Sequence, residues 1–378
     1  MVLLIYSIIS TITSIGIAIY LLWGFTKIKR LSKQPLTTVQ PSLAIIIPVR
    51  NEVEDLEHAL QSVCNINYDN YRIIVVNDRS TDRTPEILEN FAKQYPKITV
   101  NTITELPHGW LGKNNALYQG YKGSDEEWLL FTDADIAYHP DAINKAMGYT
   151  LKNNLDNLAV LPKTVSRSEI LNSVLATFGA MLMIYLRPWN SIKPNSWSHI
   201  GVGAFCLVTR TAYEKAGTHE RVKLRPDDDV KLGYHIKRAG LRQDVLSGVG
   251  ALSLEWYKNL GQFVDGLMKN SFATANYNVF LAFGYMLSCL LCQALPMPIM
   301  FIFGDTTIRL MALGILLAQI VYMIVVVPNK WWYALMIPFA GFLMAYIFVR
   351  STFITLKQGG ICWRNSFYSL AMLKGKEE

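Results

Sequence analysis

Residues 2–25 (VLLIYSIISTITSIGIAIYLLWGF) run for 24 residues without one charged side chain. A helix needs about 20 apolar residues to cross the hydrocarbon core of a bilayer, where every backbone polar group must be bonded inside the segment. This run commits the chain to a membrane-spanning helix. A cleaved secretory leader would instead show a basic start, a shorter apolar stretch and a small-residue cleavage site. Here the basic residues follow the run, at Lys27, Lys29, Arg30 and Lys33. Positive charge stays on the cytoplasmic side, so the N-terminus is expected outside and everything after residue 26 starts in the cytoplasm.

Only 17% of residues are charged, against about 25% in soluble domains, so further apolar segments are expected. Three stand out, at 279–304, 307–327 and 331–349. The first holds Pro296 and Pro298 and is expected to be kinked, broken or re-entrant. Three full crossings would put Arg350, Lys357, Arg364, Lys374 and Lys376 outside, against the charge rule. Segment 279–304 is therefore the one expected not to span. A further run, 170–186 (ILNSVLATFGAMLMIYL), is slightly short, and reads either as a core helix or as an interfacial helix beside an acceptor site. The expected organisation is a helix at 1–26, a basic linker at 27–40, a folded block at 41–262, membrane helices within 263–350 and a basic tail at 351–378. A net charge of +7 without a basic run interleaved with aromatics excludes nucleic acid as partner and fits a membrane surface. Five scattered cysteines do not make a disulfide framework.

Within the folded block, short β-rich runs alternate with helical stretches. LAIIIPV (43–49), YRIIVVN (71–77), KITVNTI (97–103) and WLLFTDAD (128–135) are separated by helical patterns at 52–64, from near Asp82, and from about 113. Strands without polar alternation are buried on both faces, as in a parallel sheet flanked by helices. The fold class is α/β, a doubly wound, mostly parallel sheet with transmembrane helices at both ends, and ligands belong at the carboxyl ends of its strands. Three polar clusters fall there: Pro48-Val49-Arg50-Asn51-Glu52, Asn77 to Asp82, and Thr132-Asp133-Ala134-Asp135. Any one of them serves as a loop or cap, and Asp82 reads best as a cap. Three on one edge point to a ligand site.

The ordered motifs IIIPVRNE, VVNDRSTDRT, GWLGKNNAL and FTDADI, with a carboxylate trio before a helix, resemble family 2 glycosyltransferases of the GT-A fold over roughly residues 43–260. The ending GGICWRNSFYSL after apolar helices is similar to membrane-bound subgroups, the carotenoid-acid and hopanoid-associated glycosyltransferases. The resemblance implies that Pro48, Arg50 and Glu52 line a nucleotide pocket and that Asp78 meets the base or ribose. It places Lys113 near the nucleotide or its phosphates, Asp133 at nucleotide and metal, and Asp135 at the metal. Asp229 matches the catalytic base, with Asp228 as second choice. It further implies a nucleotide-sugar donor, with a UDP-sugar favoured, and a membrane lipid acceptor.

The chemistry explains these residue types. A leaving diphosphate needs its charge neutralised, and Mg2+ or Mn2+ takes one or two carboxylates plus phosphate oxygens. An acceptor hydroxyl needs a carboxylate within hydrogen-bond reach to take its proton. Arg225-Pro226-Asp227-Asp228-Asp229 places three acids before a helix expected near Val230, where one would suffice as a cap. Attack from the face opposite the leaving group inverts the anomeric carbon. Processive members of the resembled family carry a Gln/Arg-x-x-Arg-Trp motif after the base. No Arg-Trp pair follows Trp256 here, and the resemblance then implies transfer of one sugar over polymer synthesis. Two other readings stand beside this one: transfer to a polyprenyl phosphate, and a non-catalytic membrane scaffold of the same fold.

Overall fold

The computed structural model describes residues 1–363 and 366–375. The chain divides into two compact units, one from 28–165 and 188–255, the other from 1–27, 166–187 and 256–378.

In the first unit eight strands make one sheet. They are β1 (Lys29–Arg30), β2 (Leu43–Val49), β3 (Tyr71–Asp78), β4 (Ile98–Ile103), β5 (Trp128–Phe131), β6 (Asn157–Leu161), β7 (Cys206–Thr209) and β8 (Gln243–Ser247). Their order is β1-β8-β6-β7-β5-β2-β3-β4. Every pairing is parallel except those of β7, which runs antiparallel to β5 and β6. Helices α1 (Leu56–Cys64), α2 (Thr84–Gln94), α3 (Gly112–Lys122), α4 (Ala142–Lys152), α5 (Arg210–Ala216) and α6 (Asp228–Arg238) cover it.

The period of two in the strands assigns the faces. Ile45, Ile47, Ile73 and Val75 pack with Leu56 and Leu60 of α1 and Leu88 of α2. Ala44, Ile46, Ile74 and Val76 face the other way, onto Ala116 and Leu117 of α3 and Leu232 of α6. Each of these buried aliphatics is worth roughly 1.5–3 kcal/mol over an exposed position. This is the doubly wound, mostly parallel arrangement expected from the unbroken apolar runs.

Two helix starts differ from expectation. The pattern at 52–64 becomes helical only at Leu56: Asn51 sits at φ 53° and residues 53–55 form a turn ahead of the helix. Helix α6 begins at Asp228, not near Val230, so two of the three acids are inside its first turn. Asp82 sits one residue before the cap position, Arg83, where its Oδ1 accepts from the Thr84 N–H at 3.0 Å and closes the turn into the helix.

The stretch 27–40 is not a free linker. Lys29–Arg30 is the edge strand β1 on β8, Leu31 is fully buried, and Thr37 exchanges two hydrogen bonds with the Asn144 amide at 2.8 and 3.1 Å. Nor is 41–262 one continuous block. Residues 166–187 and 256–262 group with the apolar helices, because their buried faces are apolar and meet partners there.

In the second unit, helix Val2–Phe25 turns Ser7, Ser10, Ser14 and Ala18 inward and leaves Ile5, Ile9, Ile12 and Ile19 exposed. Small residues at the helix contact and large apolar ones outside is the pattern of a helix packed in lipid. Helices Val2–Phe25, Glu169–Leu186, Thr306–Val326 and Ile337–Gln358 are each carried by a segment long and apolar enough to cross a membrane. The segment 279–304 is broken as its prolines imply. Its helix passes through a π turn at Leu290–Ala294, then bends by 48° into Pro296–Phe303. The last helix runs past the expected 349 to Gln358, where Gly359 at φ 69° ends it, so Arg350 and Lys357 are helical. A hairpin of Gly360–Trp363 and Ser366–Ser369 follows. Arg364 and Lys376 of the expected basic tail lie outside the described residues.

Candidate active site

The carboxyl ends of β2, β3 and β5 and the start of α6 bring the polar clusters to one edge of the sheet. Pro48 is the half-buried penultimate residue of β2, in register with Val76. Beyond it, the loops 50–52 and 80–84 are laced together. The Asn51 N–H donates to Ser80 Oγ at 3.1 Å, Thr81 N–H to Asn51 Oδ1 at 2.9 Å, and Glu52 N–H to Thr84 Oγ1 at 3.1 Å. Asp78 ends β3 with its carboxylate buried and held by two guanidinium groups. Arg79 donates to both oxygens at 2.7 and 3.1 Å, and Arg50 lies 3.6 Å away. A charged buried carboxylate is tolerable only when so paired.

Lys113, in the first turn of α3, places its ammonium 2.6 Å from Asp133 Oδ1. Burial alone would lower the Lys113 pKa, and the carboxylates of Asp133, Asp228 and Asp229 more than reverse this, so it stays charged. Asp229 is fixed at the head of α6, its Oδ2 accepting from the Gly203 N–H at 2.7 Å and its Oδ1 from the Val230 N–H at 2.8 Å. Burial raises its pKa, against the pull of Lys113. Asp228 is buried in the same cleft. Asp227, the third acid, is a clamp, held by a two-pronged Arg225 pairing at 2.7 and 2.8 Å.

Gly203 ties the group together. A Cβ on it would stand 3.0 Å from Asp133 Oδ2, 3.2 Å from Lys113 Nζ and 3.4 Å from Asp229 Oδ2. One methyl-sized volume thus touches three of the site residues read from the sequence.

Asp135 is less content. Its Oδ1 is buried with no hydrogen-bond partner among the described residues. Burial first, then repulsion from Asp133 and Glu52, pushes its pKa up to about 7. An orphaned oxygen in a nest of like charge is what a hard cation relieves, so the residues present fit Mg2+ or Mn2+. Among the described residues no three His, Cys, Asp or Glu side chains gather to hold a metal by themselves, so phosphate oxygens would complete the shell.

The family model "Glycosyl transferase family 2" matches residues 44–217, which hold the ends of β2, β3 and β5, Lys113 and Gly203, and stop short of the acids at 227–229. This chain carries a family 2 glycosyltransferase domain. The 4,4'-diaponeurosporenoate glycosyltransferase of Staphylococcus aureus (strain USA300) is 25% identical over 236 residues, 62% of this chain and 61% of that protein. The similarity therefore spans about three fifths of that relative's length. A mannosyltransferase from Pyrobaculum calidifontis, solved in complex with GDP-Man and Mn2+, superposes with a TM-score of 0.60 at 17% identity. The superposition covers 94% of this chain and 99% of that one, and it shows the fold.

The glycosyltransferase domain also uses residues that sequence patterns did not single out. Asn114 Nδ2 donates to the carbonyls of Val222, Arg225 and Lys223 at 2.8, 3.0 and 3.3 Å, and the Leu111 N–H adds a bond to Lys223 O at 2.8 Å. The start of α3 thereby holds the loop that delivers the acids of α6. His219 lines the cleft, buried against Phe131, with its Nδ1 2.6 Å from the Tyr213 hydroxyl. Burial, helped by the charge of Lys113, lowers its pKa to about 3, so it is neutral. Asn114 was visible inside GKNNAL. Nothing in the sequence near His219 marks it, because its place depends on long-range packing.

Proposed function

We propose that the chain moves a single sugar from a nucleotide-sugar to a membrane lipid, with inversion at the anomeric carbon, in the cytoplasm. The observation that carries this reading is the convergence of Lys113, Asp133 and Asp229 on the space in front of Gly203. A cation and two carboxylates on one small volume suit a phosphate, a ribose or metal contact, and a proton acceptor.

In this reading Asp135 and Asp133 hold Mg2+ or Mn2+, which when bound supplies charge neutralisation to the departing diphosphate. Lys113 stays protonated and faces the phosphates. Arg50 and Arg79 hold Asp78 toward the base or ribose, with Glu52 and Pro48 walling the pocket. The acceptor hydroxyl oxygen bonds to the anomeric carbon as the carbon–oxygen bond to the diphosphate breaks with its electron pair. The hydroxyl proton passes to Asp229, whose raised pKa suits that role. The GDP-Man and Mn2+ of the Pyrobaculum complex, and the carotenoid acid in the name of the Staphylococcus relative, support a nucleotide-sugar, a divalent cation and an isoprenoid lipid here. The four long apolar helices support the membrane location.

The test incubates membranes holding the full chain with labelled UDP- and GDP-sugars, a lipid extract and Mn2+ or Mg2+. Label is expected in the lipid phase, removed by a chelator and reduced roughly 100-fold or more by Asp229→Asn, the usual scale of general-base loss. A modest loss in Asp229→Asn points to a polyprenyl phosphate acceptor, which needs little base help. Absence of both transfer and nucleotide-sugar binding supports the scaffold reading.

A further inference from the structure

The segment Ile200–Ala204 (IGVGA) supplies Gly203 to the cleft and belongs to no helix or strand. Backbone outside regular structure must still pair its buried N–H and C=O groups. Ile200, 1% exposed, does so with one side chain. Its N–H donates to Gln243 Oε1 at 2.8 Å, and Gln243 Nε2 donates back to the Ile200 carbonyl at 2.7 Å. Among the described residues the Ile200 backbone makes no other hydrogen bond. The Gln243 amide thus stands in for the strand that Ile200 lacks. Gln243 is itself fully buried at the start of β8. Its Nε2 also reaches Asn157 Oδ1 on β6 at 2.8 Å and the Gly233 carbonyl of α6 at 3.3 Å.

Two glycines pass that anchorage on to the acids. A Cβ on Gly201 would overlap the Asp229 carbonyl, and one on Gly233 would overlap that of Ile200. The backbones of the segment and of α6 therefore touch, with no side chain between them to absorb a shift. At the far end of the segment the Gly203 N–H donates to Asp229 Oδ2 at 2.7 Å, and the Ala204 carbonyl accepts from Thr132 Oγ1 at 2.8 Å. Gln243 does not border the cleft, which Gly203, Cys206, Asp228 and Asp229 help to line. A hydrogen bond to a carboxylate favours its charged form, so the place of Gly203 sets how readily Asp229 takes up a proton.

We propose that Gln243 is a positioning residue for Asp229: by holding both backbone polar groups of Ile200, it fixes the Gly203 N–H against the Asp229 carboxylate. The inference rests on Asp229 as the proton acceptor of the proposed transfer. An apolar side chain of similar length at this position fills the same space but leaves the Ile200 N–H and carbonyl unpaired. The segment then shifts to find other partners, and Gly203 shifts with it. Nothing in the run GLRQDVLSG marks the residue, because glutamine is mostly an exposed residue type.

The experiment follows sugar transfer by the full chain in membrane vesicles as a function of pH. Gln243→Met is expected to move the acidic limb of kcat up by about half a pH unit or more, because Asp229 loses a donor to its charged form. The plateau is expected to fall about tenfold. Gln243→Asn, whose amide falls one carbon short, is expected to show the same changes in smaller measure, and it carries the test where Gln243→Met folds poorly. Nucleotide-sugar affinity by calorimetry is expected to change less than about threefold. In the Asp229→Asn background Gln243→Met is expected to cost less than about twofold, since no base is left to position. Hydrogen exchange reads the placement without turnover: peptides across 200–204 and 228–233 exchange faster, while those of β2 and β3 keep native rates. An unmoved limb with equal loss at every pH makes Gln243 an ordinary core residue and overturns the proposal. So do equal losses with and without the Asp229 carboxylate, or native exchange across 200–204. A native rate in Asp229→Asn alone removes the base instead, and this inference with it.

Discussion

Gly203 keeps open the volume that Asp133, Lys113 and Asp229 surround. In Gly203→Ala the new methyl meets the ends of flexible side chains, which shift by a few tenths of an ångström instead of unfolding the loop. Transfer is expected to fall at least 10-fold while the melting temperature stays within a few degrees, a split read by assay and thermal melt together. His219 offers a pH test. Its native pKa is lowered to about 3, whereas the unfolded side chain titrates near 6.5. The unfolded state therefore binds the proton first, so stability is complete above about pH 6.5 and is lost as pH falls from there toward 3. In His219→Gln the denaturation midpoint is expected to change less between pH 7 and pH 4 than in the native protein. An equal slope in both would remove His219 as the source.

At the scale of elements, the site is a junction between the first turns of two helices. Helix α3 supplies Lys113 outward and Asn114 inward, and the Asn114 amide gathers the carbonyls of the loop before α6. Asn114→Ala takes the side-chain donor from the Arg225 carbonyl, while those of Val222 and Lys223 keep the N–H groups of Arg225 and Leu111, at a cost of about 1 kcal/mol. It should also loosen Asp228 and Asp229, so kcat is expected to drop more than nucleotide affinity. Stability by denaturant titration and binding by calorimetry separate the two effects. The same scale explains why α6 starts two residues early. Its acids act at the positive end of the helix dipole, and Arg225 takes Asp227 out of their mutual repulsion.

For the whole molecule, the basic cluster after residue 26 predicts sidedness. An epitope at the N-terminus is expected to be removed by protease added to intact cells, while one placed in the sheet unit survives until the cells are opened. Survival of both would reverse the orientation or deny the crossing of helix Val2–Phe25.

The sequence by itself determined what local chemistry controls. Unbroken apolar runs such as LAIIIPV announce buried strands, a charge-free run announces a membrane helix, and Pro296 and Pro298 announce a break. The polar clusters after β2, β3 and β5 were readable too, because a strand end must turn and its side chains face the edge. Only the tertiary structure decided which of the three acids is a clamp, that Gly203 borders Lys113, Asp133 and Asp229 together, and that 28–40 belongs to the sheet unit. It likewise decided that 166–187 leaves the sheet unit and returns to it. Those facts rest on contacts between residues dozens of positions apart, and no local pattern records which distant partner a side chain will meet.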